Sequence, residues 1–330
     1  MFVEIEHTLS LAYDAYIRES FLELRMQPKT TGDQTLQSFV LAVGPPTKTS
    51  RYRDWNHNVV HHFTIVHFHD RIEVVARSAV STHPAAPALA TVADTRPYPD
   101  PPYPLLDFLA FDGPVRASAQ LRRFAQGVPV PATAPLGEQV RACGRHIGEH
   151  FTYRKNVTSY DSTSDDFLAA GAGVCQDFTH LMLGLLRLRQ IPCRYVSGYL
   201  HVPPRDDETA QSHAWVEFYS PSAGWVPFDP THDREIDGHY VVVGHGRHYD
   251  DVPPNKGIFR GNADEILKTE VRTQASTPKD ISALHEEMEQ IDVPVYQEIP
   301  ERRRDRLKLA AEEIAAQQQQ QEQEQQQAGR

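Results

Sequence analysis

The chain has 330 residues, of which 40% are hydrophobic and 23% are charged, and its formal net charge is −11. This length allows two domains with separate cores, and the composition is that of a globular protein. The negative charge argues against nucleic acid or an anionic membrane as a partner. Three cysteines, Cys143, Cys175 and Cys193, occur without a CxxC pair, which fits a reducing compartment and speaks against a zinc ribbon or a disulfide scaffold.

The beginning of the chain has no basic segment followed by an apolar one, and no apolar run approaches the length that crosses a bilayer. We therefore expect a cytoplasmic protein.

Residues 1–81 show the alternation of apolar and polar side chains that half-buried strands require. Turn-forming clusters at 30–33, 44–46 and 54–58 separate the apolar runs. The pattern predicts a β-sandwich of roughly six to eight short strands.

Three histidines of this region, His61, His67 and His69, would share one face of an extended strand, and two histidines at that spacing can chelate a transition metal. No carboxylate or cysteine completes the set. A polar sheet face is the simpler interpretation, and we predict neither a metal nor a cofactor.

Residues 82–104 are rich in proline and alanine and should form an extended interdomain connection. Helical spacing then recurs over 105–111, 118–124 and 136–151. Ser164–Gly171 is predicted to be a short helix, with Ser164 as its N-cap and the glycine ending it.

A longer buried helix is predicted to begin near Cys175, because apolar residues recur at helical spacing from Phe178 to Leu188 and glycines precede them. A thiol at the start of a helix lies at the positive end of the dipole, which favours the thiolate. A buried cysteine is more often a small hydrophobic residue. Its partners therefore decide its role.

Downstream, 213–219 and 225–229 are predicted to pair as an antiparallel hairpin around the turn at 220–224. His213 and Asp229 are equidistant from residue 221, and the turn is centred on residue 222. Residues equidistant from a turn face each other, so Asp229 can orient His213. Trp215 shares the strand face of His213 and Trp225 that of Asp229, so both rings are expected to shield the pair from water.

Four runs in this half resemble the transglutaminase-like core of bacterial proteins: Gly-x-Gly-Val-Cys-Gln-Asp-Phe at 171–178, Arg-Tyr-Val-Ser-Gly-Tyr at 194–199, Ser-His-Ala-Trp-Val-Glu at 212–217 and Gly-Trp-Val-Pro-Phe-Asp-Pro-Thr at 224–231. Residues 51–58 resemble part of the N-terminal domain that precedes this core. The resemblance implies an α+β protein with the sandwich first. The core at 105–275 would be papain-like, with a cysteine-bearing helix packed on an antiparallel sheet that bears His and Asp.

The resemblance further implies acyl transfer, with Cys175 as nucleophile, His213 as general base and Asp229 as its orienting partner. A thioester formed from a peptide, isopeptide or glutamine amide would be resolved by water or by an amine, and both outcomes stay open. The backbone N–H of Cys175 is one candidate oxyanion donor. Animal transglutaminases supply another from an upstream tryptophan that has no equivalent here, so Tyr153 is the second candidate.

Three further residues, Gln176, Trp215 and Trp225, are candidates for the substrate cleft. The alternative from a different class is a catalytically silent binding module that keeps the fold.

The last part of the chain carries weaker signals. Strands are predicted from Tyr240 and over 266–271, the latter as a last strand of the catalytic sheet. The Gly-x-Gly at 244–246 lacks the rest of a phosphate loop, and 206–208 lacks the alternating pattern of calcium ligands. Residues 276–330 are predicted to be helical and then a Gln-rich solvated helix or disorder, since no heptad supports a coiled coil.

Overall fold

The computed structural model describes residues 1–83, 86–95, 101–202 and 211–277, with only the backbone of Gln211. The predicted tail beyond residue 277 and the acidic run at 206–208 lie outside the described residues.

Strands make up the first part of the described chain, and helices and strands share the second. The strands are β1 Phe2–Ile17, β2 Glu19–Leu24, β3 Gln34–Gly44, β4 Ser50–Arg53, β5 Val59–Ile65, β6 His69–Thr82, β7 Thr152–Tyr153, β8 Ala172–Gly173, β9 Cys193–Leu200, β10 Gln211–Ser220, β11 Gly224–Asp229, β12 Arg234–Glu235, β13 Tyr240–Gly246, β14 Asn255–Arg260 and β15 Glu265–Ser276. The helices are α1 Tyr103–Leu106, α2 Ala119–Ala125, α3 Leu136–His150, α4 Ser164–Ala170 and α5 Cys175–Leu188, and 3-10 turns cover Leu89–Thr91, Asp107–Leu109 and Tyr249–Asp251.

The N-terminal half is a sandwich of two four-stranded antiparallel sheets, in the orders β15-β1-β6-β3 and β14-β2-β5-β4. Alternate residues of β1 point into the core, where Leu9 and Leu11 pack with Phe63 and Ile72. The predicted sandwich is confirmed, but its main strands are long rather than short, since β1 alone has 16 residues.

Two of the eight sandwich strands, β14 and β15, come from the end of the described chain. The prediction that 266–271 is a strand is right, but the sheet assigned to it was wrong, because β15 pairs with β1 along Phe2↔Ser276 to Tyr13↔Glu265. Burial explains this, since Val271 joins an apolar cluster with Val3, Ile5 and Tyr199. The first and the last described strands therefore pair in one sheet.

The C-terminal half is an antiparallel sheet in the order β12-β11-β10-β9-β13, with α5 against one face. Leu181 and Leu185 of the helix share a core with Tyr195, Val216 and Phe218 of the sheet. Helices α2, α3 and α4 pack around α5 in turn. The predicted α+β class, a sandwich followed by a papain-like core, is confirmed.

The helix that precedes the site, α4, begins one residue earlier than predicted. Its N-cap is Thr163, whose hydroxyl accepts from the Asp166 amide at 3.3 Å while the Asp166 carboxylate accepts from the Thr163 amide at 2.8 Å. Ser164 is buried instead and accepts from the Arg116 amide. The predicted end at Gly171 is confirmed, with a left-handed φ of 69°.

Two other details depart from expectation. The predicted extended connection includes a 3-10 turn, because Leu89 and Val92 are apolar and bury themselves in the core of the C-terminal half. The three histidines do not share one strand: His61 lies on β5 and stacks on Phe39, and the chain turns at His67 before His69 begins β6.

No helix in the described part of the chain has the length and apolar character needed to span a bilayer.

Substituting Gly171 tests the left-handed end of α4. Gly171→Ala should destabilise the protein by about 1 kcal/mol, because a Cβ there meets no atom within 4 Å and only the positive φ opposes it. Gly148→Ala, at an equally open helical position in α3, should stabilise by about 0.5–1 kcal/mol. Urea unfolding measures both, and effects of the same sign would contradict the assignment.

Candidate active site

The start of α5 is fixed by the carboxylate of Asp177. This carboxylate accepts from the Val174 amide at 2.7 Å and from the Thr158 hydroxyl at 2.6 Å. Gly173 leaves the space for it, since a Cβ there would lie 2.4 Å from the carboxylate oxygen. Cys175 is thereby held as the first residue of the helix, where backbone amides have no intrahelical acceptor.

The hairpin of β10 and β11 brings a histidine and an aspartate together. Its register runs from Val216↔Phe228 to Ser220↔Gly224, so the turn is centred on residue 222. With this register His213 and Asp229 are diagonal neighbours, which long side chains can bridge. His213 Nε2 donates to Asp229 Oδ2 at 2.8 Å, so the hydrogen bond predicted from the turn geometry is present.

The third member of the predicted set, Cys175, faces the same imidazole. It is half-buried, and its interaction with His213 raises the pKa of the ring. Because Nε2 of His213 is occupied by Asp229, Nδ1 is the nitrogen left for the thiol. Both residues line one open cleft of about 640 Å³.

The buried carboxylate controls the charge of this pair. Burial opposes the imidazolium form of His213, but its hydrogen bond to Asp229, the hydrogen bond to Cys175 and their charges raise the pKa of His213 to about 10. Burial also opposes the charged form of Asp229, yet the hydrogen bonds from His213 and His232 hold the pKa of Asp229 well below its usual range. Asp229 is therefore an ionised partner at neutral pH.

Asp229 has more partners than the sequence indicated. Besides His213, its Oδ2 accepts from His232 Nδ1 at 2.7 Å and from the Tyr240 hydroxyl at 2.6 Å. Arg234 in turn donates to the Tyr240 oxygen at 2.7 Å. The short spacing from Asp229 to His232 is a signal that could have been used, whereas Tyr240 reaches the carboxylate only through the sheet topology.

The other oxygen of the Asp229 carboxylate also accepts hydrogen bonds. Its Oδ1 accepts from the backbone N–H of Thr231 at 2.8 Å and of His232 at 3.3 Å. Every hydrogen bond that Asp229 accepts comes from a donor that stabilises its negative charge.

The structure divides the remaining candidate residues between two places. Tyr153 and Gln176 line the cleft with Cys175, and burial together with the neighbouring charge of Cys175 raises the pKa of Tyr153. Trp215 and Trp225 do not line this cleft. Trp215 is fully buried beside His213, with ring centroids 6.2 Å apart, and Trp225 lies under the Arg194 guanidinium.

Part of the cleft lining comes from the sandwich, which the sequence did not indicate. His7, Leu267 and Thr269 are among the residues that line it. Each ring nitrogen of His7 takes part in a hydrogen bond of 2.9 Å, Nδ1 with the Tyr199 hydroxyl and Nε2 with the Thr269 hydroxyl. The return of β15 to the first sheet brings Leu267 and Thr269 to the cleft that holds the thiol.

Two groups of side chains in the described residues are close enough to hold a metal ion: His146, Glu149 and His150 on α3, and the set His213, Asp229 and His232. In the second set the atoms are hydrogen-bonded to one another. In the first, His146 and His150 bond to backbone carbonyls. The Gly-x-Gly motif has a packing role, since a Cβ on Gly246 would lie 2.4 Å from Asp251.

Comparison with known proteins identifies both halves of the chain. Residues 122–230 match the transglutaminase-like superfamily, and residues 3–81 match the bacterial transglutaminase-like N-terminal region. The chain belongs to the bacterial proteins of the transglutaminase-like superfamily.

Relatives and solved structures extend this result. An uncharacterized protein of Mycobacterium leprae is 32% identical over 281 residues, which cover 78% of this chain and 93% of that protein. A protein-glutamine gamma-glutamyltransferase of Pseudomonas aeruginosa is 27% identical over 157 residues, or 44% of this chain and 23% of that protein. A candidate cysteine protease from Cytophaga hutchinsonii has the same fold, with a TM-score of 0.70 at 20% identity over 84% of this chain and 92% of that chain.

Filling the space at Gly173 tests the start of α5. In Gly173→Ala the new Cβ displaces the Asp177 carboxylate, so we expect a loss of about 1–3 kcal/mol of stability. Alkylation of Cys175 by iodoacetamide should slow as the helix start shifts. Gly32→Ala, where a Cβ meets nothing within 4 Å, is the matched control. Unchanged alkylation in the folded Gly173→Ala variant would contradict this role.

Removing the charge of Asp229 tests the electrostatics. Asp229→Asn removes the first of the interactions that raise the pKa of His213 while burial remains, so we expect this pKa to fall well below about 10, as NMR titration of labelled histidine would show.

The same substitution has a signature in stability. Because the folded pKa of His213 is raised, its stabilising effect is complete below about pH 6.5 and is lost as pH rises towards 10. Asp229→Asn should flatten the unfolding free energy over that window. Asp237→Asn, which removes an exposed aspartate hydrogen-bonded to His239 at 2.9 Å, should leave it unchanged.

Proposed function

We propose that this protein is a cysteine-dependent enzyme that transfers the acyl group of an amide through a thioester on Cys175. One observation carries the proposal: a cysteine at the start of a helix shares a cleft with a buried imidazole, which a buried carboxylate holds in its charged form. The substrate would be a peptide or protein amide, because the cleft is open and of about 640 Å³.

In the first half-reaction the sulfur of Cys175 attacks the amide carbonyl carbon. The C–N bond breaks, His213 gives the proton on Nδ1 to the leaving amine, and a thioester remains on Cys175. Asp229 keeps the proton on Nε2 and stabilises the imidazolium before transfer.

In the second half-reaction a nucleophile takes the place of the departed amine. His213, now neutral, removes a proton from water or from a primary amine, which attacks the thioester carbonyl and expels the thiol. Water yields a carboxylic acid and an amine yields a new amide. Hydrolysis and transamidation thus use the same residues, and they differ in how well the cleft excludes water.

The negative charge on the carbonyl oxygen requires hydrogen-bond donors. The backbone N–H of Cys175 is the first, because it opens the helix. Tyr153 is proposed as the second, since it lies in the same cleft on β7, whose parallel pairing with β8 places it opposite Gly173.

The comparisons support this class of reaction. The similar fold of a candidate cysteine protease and the partial similarity to a protein-glutamine gamma-glutamyltransferase point to the two outcomes of one thioester chemistry. The free thiols of Cys143, Cys175 and Cys193 support a reducing compartment such as the cytoplasm as the proposed location.

Trapping the thioester tests the proposal. The protein would be incubated with a peptide library, with and without a labelled primary amine, and products would be identified by mass spectrometry. A peptide joined to the amine indicates transamidation, and a free acid alone indicates hydrolysis. Both must vanish in Cys175→Ala and persist in Cys143→Ala, which removes a buried thiol whose pKa burial raises to about 12.

If folded wild-type protein gives neither product and no acyl adduct on Cys175, the enzymatic proposal is wrong. Peptide binding without turnover would then indicate a silent binding module.

A further inference from the structure

A second cavity, of about 380 Å³, lies between the sandwich and the catalytic sheet. It shares no lining residue with the cleft that holds Cys175. On β10 it contacts Trp215 and Glu217, whose face is the one opposite to α5 because Val216 and Phe218 pack on that helix. From the sandwich side, Lys29, Arg53, His57 and Val59 line it.

The wall of this cavity presents hydrogen-bond donors that lack anionic partners. The ammonium of Lys29 donates to the Asn56 carbonyl at 3.2 Å and to His245 Nδ1 at 3.0 Å, and no carboxylate of the described residues forms an ion pair with it. Since Nδ1 of His245 accepts, its Nε2 carries a hydrogen. The indole N–H of Trp215, a fully buried side chain, has no hydrogen-bond partner in the described residues.

The carboxylates around the cavity are otherwise engaged or exposed. Glu217 pairs with Arg194 at 2.5 Å, and Asp237 accepts from His239 at 2.9 Å. Asp33 and Arg53 also line the cavity, and both are exposed, so solvent and salt screen their charges. Lys29 is therefore a half-buried charge of the cavity wall that forms no ion pair within the described residues.

The electrostatic environment agrees with this. Burial, and then the positive charge of Arg194, lower the pKa of Lys29 to about 8, while the charges of Asp54 and Glu217 act in the opposite direction. An anion bound beside the ammonium would relieve both effects.

We propose that this cavity binds a small organic carboxylate, whose oxygens accept from Lys29, His245 and the Trp215 indole and whose apolar body lies against Val59 and Ile236. A carboxylate is the head group that fits, because a single negative charge balances a single unpaired ammonium. The volume is within the range of small-molecule sites.

A ligand bound in this cavity would affect His213 and Asp229 through two side chains. Tyr240 lines the cavity and donates to Asp229, and Trp215 lines it with its ring 6.2 Å from that of His213. A bound carboxylate would thus change the reactivity of Cys175. This consequence rests on the proposed enzymatic function, whereas binding itself does not.

Tryptophan fluorescence provides a site-specific measurement. The chain has three tryptophans, and two line the cavity while Trp55 is 85% exposed. In Trp55→Phe protein the emission therefore reports on Trp215 and Trp225. We expect benzoate to change it saturably and benzamide, the neutral analogue of the same shape, to bind at least about tenfold more weakly.

Variants assign the effect to the cavity. Lys29→Met in the Trp55→Phe background should weaken benzoate binding by about tenfold or more, whereas Lys48→Met, which removes an exposed lysine outside the cavity, should not. Trp215→Phe, read through Trp225, removes the indole donor and shortens the buried ring, and should weaken binding about threefold or more. If circular dichroism shows that Lys29→Met does not fold, the Trp215→Phe variant still tests the proposal.

Three results would overturn the proposal: equal affinity for benzoate and benzamide, no saturable change with benzoate, or wild-type affinity in folded Lys29→Met or Trp215→Phe. Inorganic phosphate that bound more tightly than benzoate would overturn the carboxylate assignment. Binding should persist in Cys175→Ala, so loss of enzymatic activity and loss of this site are distinguishable.

Discussion

The rest of the site depends on the hydrogen bonds that the ionised, fully buried carboxylate of Asp229 accepts. A buried negative charge is costly unless donors surround it. Here the donors are His213, His232 and Tyr240 at one oxygen, and the backbone of the following turn at the other. The ring of His213 is thereby held with one nitrogen towards the carboxylate and the other towards the thiol, and the cost of burying the charge is met by groups from β10, β13 and the turn after β11.

This arrangement explains which parts of the site could be predicted from sequence. The hydrogen bond from His213 to Asp229 follows from hairpin geometry, because the distance of each residue from a short turn determines which side chains meet. The position of Cys175 follows from helical periodicity and from the preceding glycines. Tyr240 and the cleft residues of β15 could not be found this way, since their positions depend on which strands become neighbours in space, and local patterns carry no such information.

The same limit applies to the fold. Alternation correctly predicted a strand over 266–271, yet it could not say which sheet that strand joins, because an alternating strand fits any half-buried edge. The tryptophans show a related limit. Trp215 and Trp225 share strand faces with His213 and Asp229, but they line the second cavity and not the cleft that holds Cys175. The Arg194 guanidinium lies over the Trp225 ring, 4.2 Å from its centroid.

The pairing of β1 with β15 also bears on the order in which the protein can be made. Phe2 leaves a ribosome long before its partner Ser276 is synthesised, so β1 has only β6 beside it while the whole catalytic half is still emerging. During that interval its other edge offers unpaired backbone groups to any neighbouring chain. Closure of this edge must wait for contacts of very large sequence separation, which form slowly. The nascent chain is consequently most exposed to aggregation in its sandwich, and a fragment that stops at residue 81 would keep that exposure permanently.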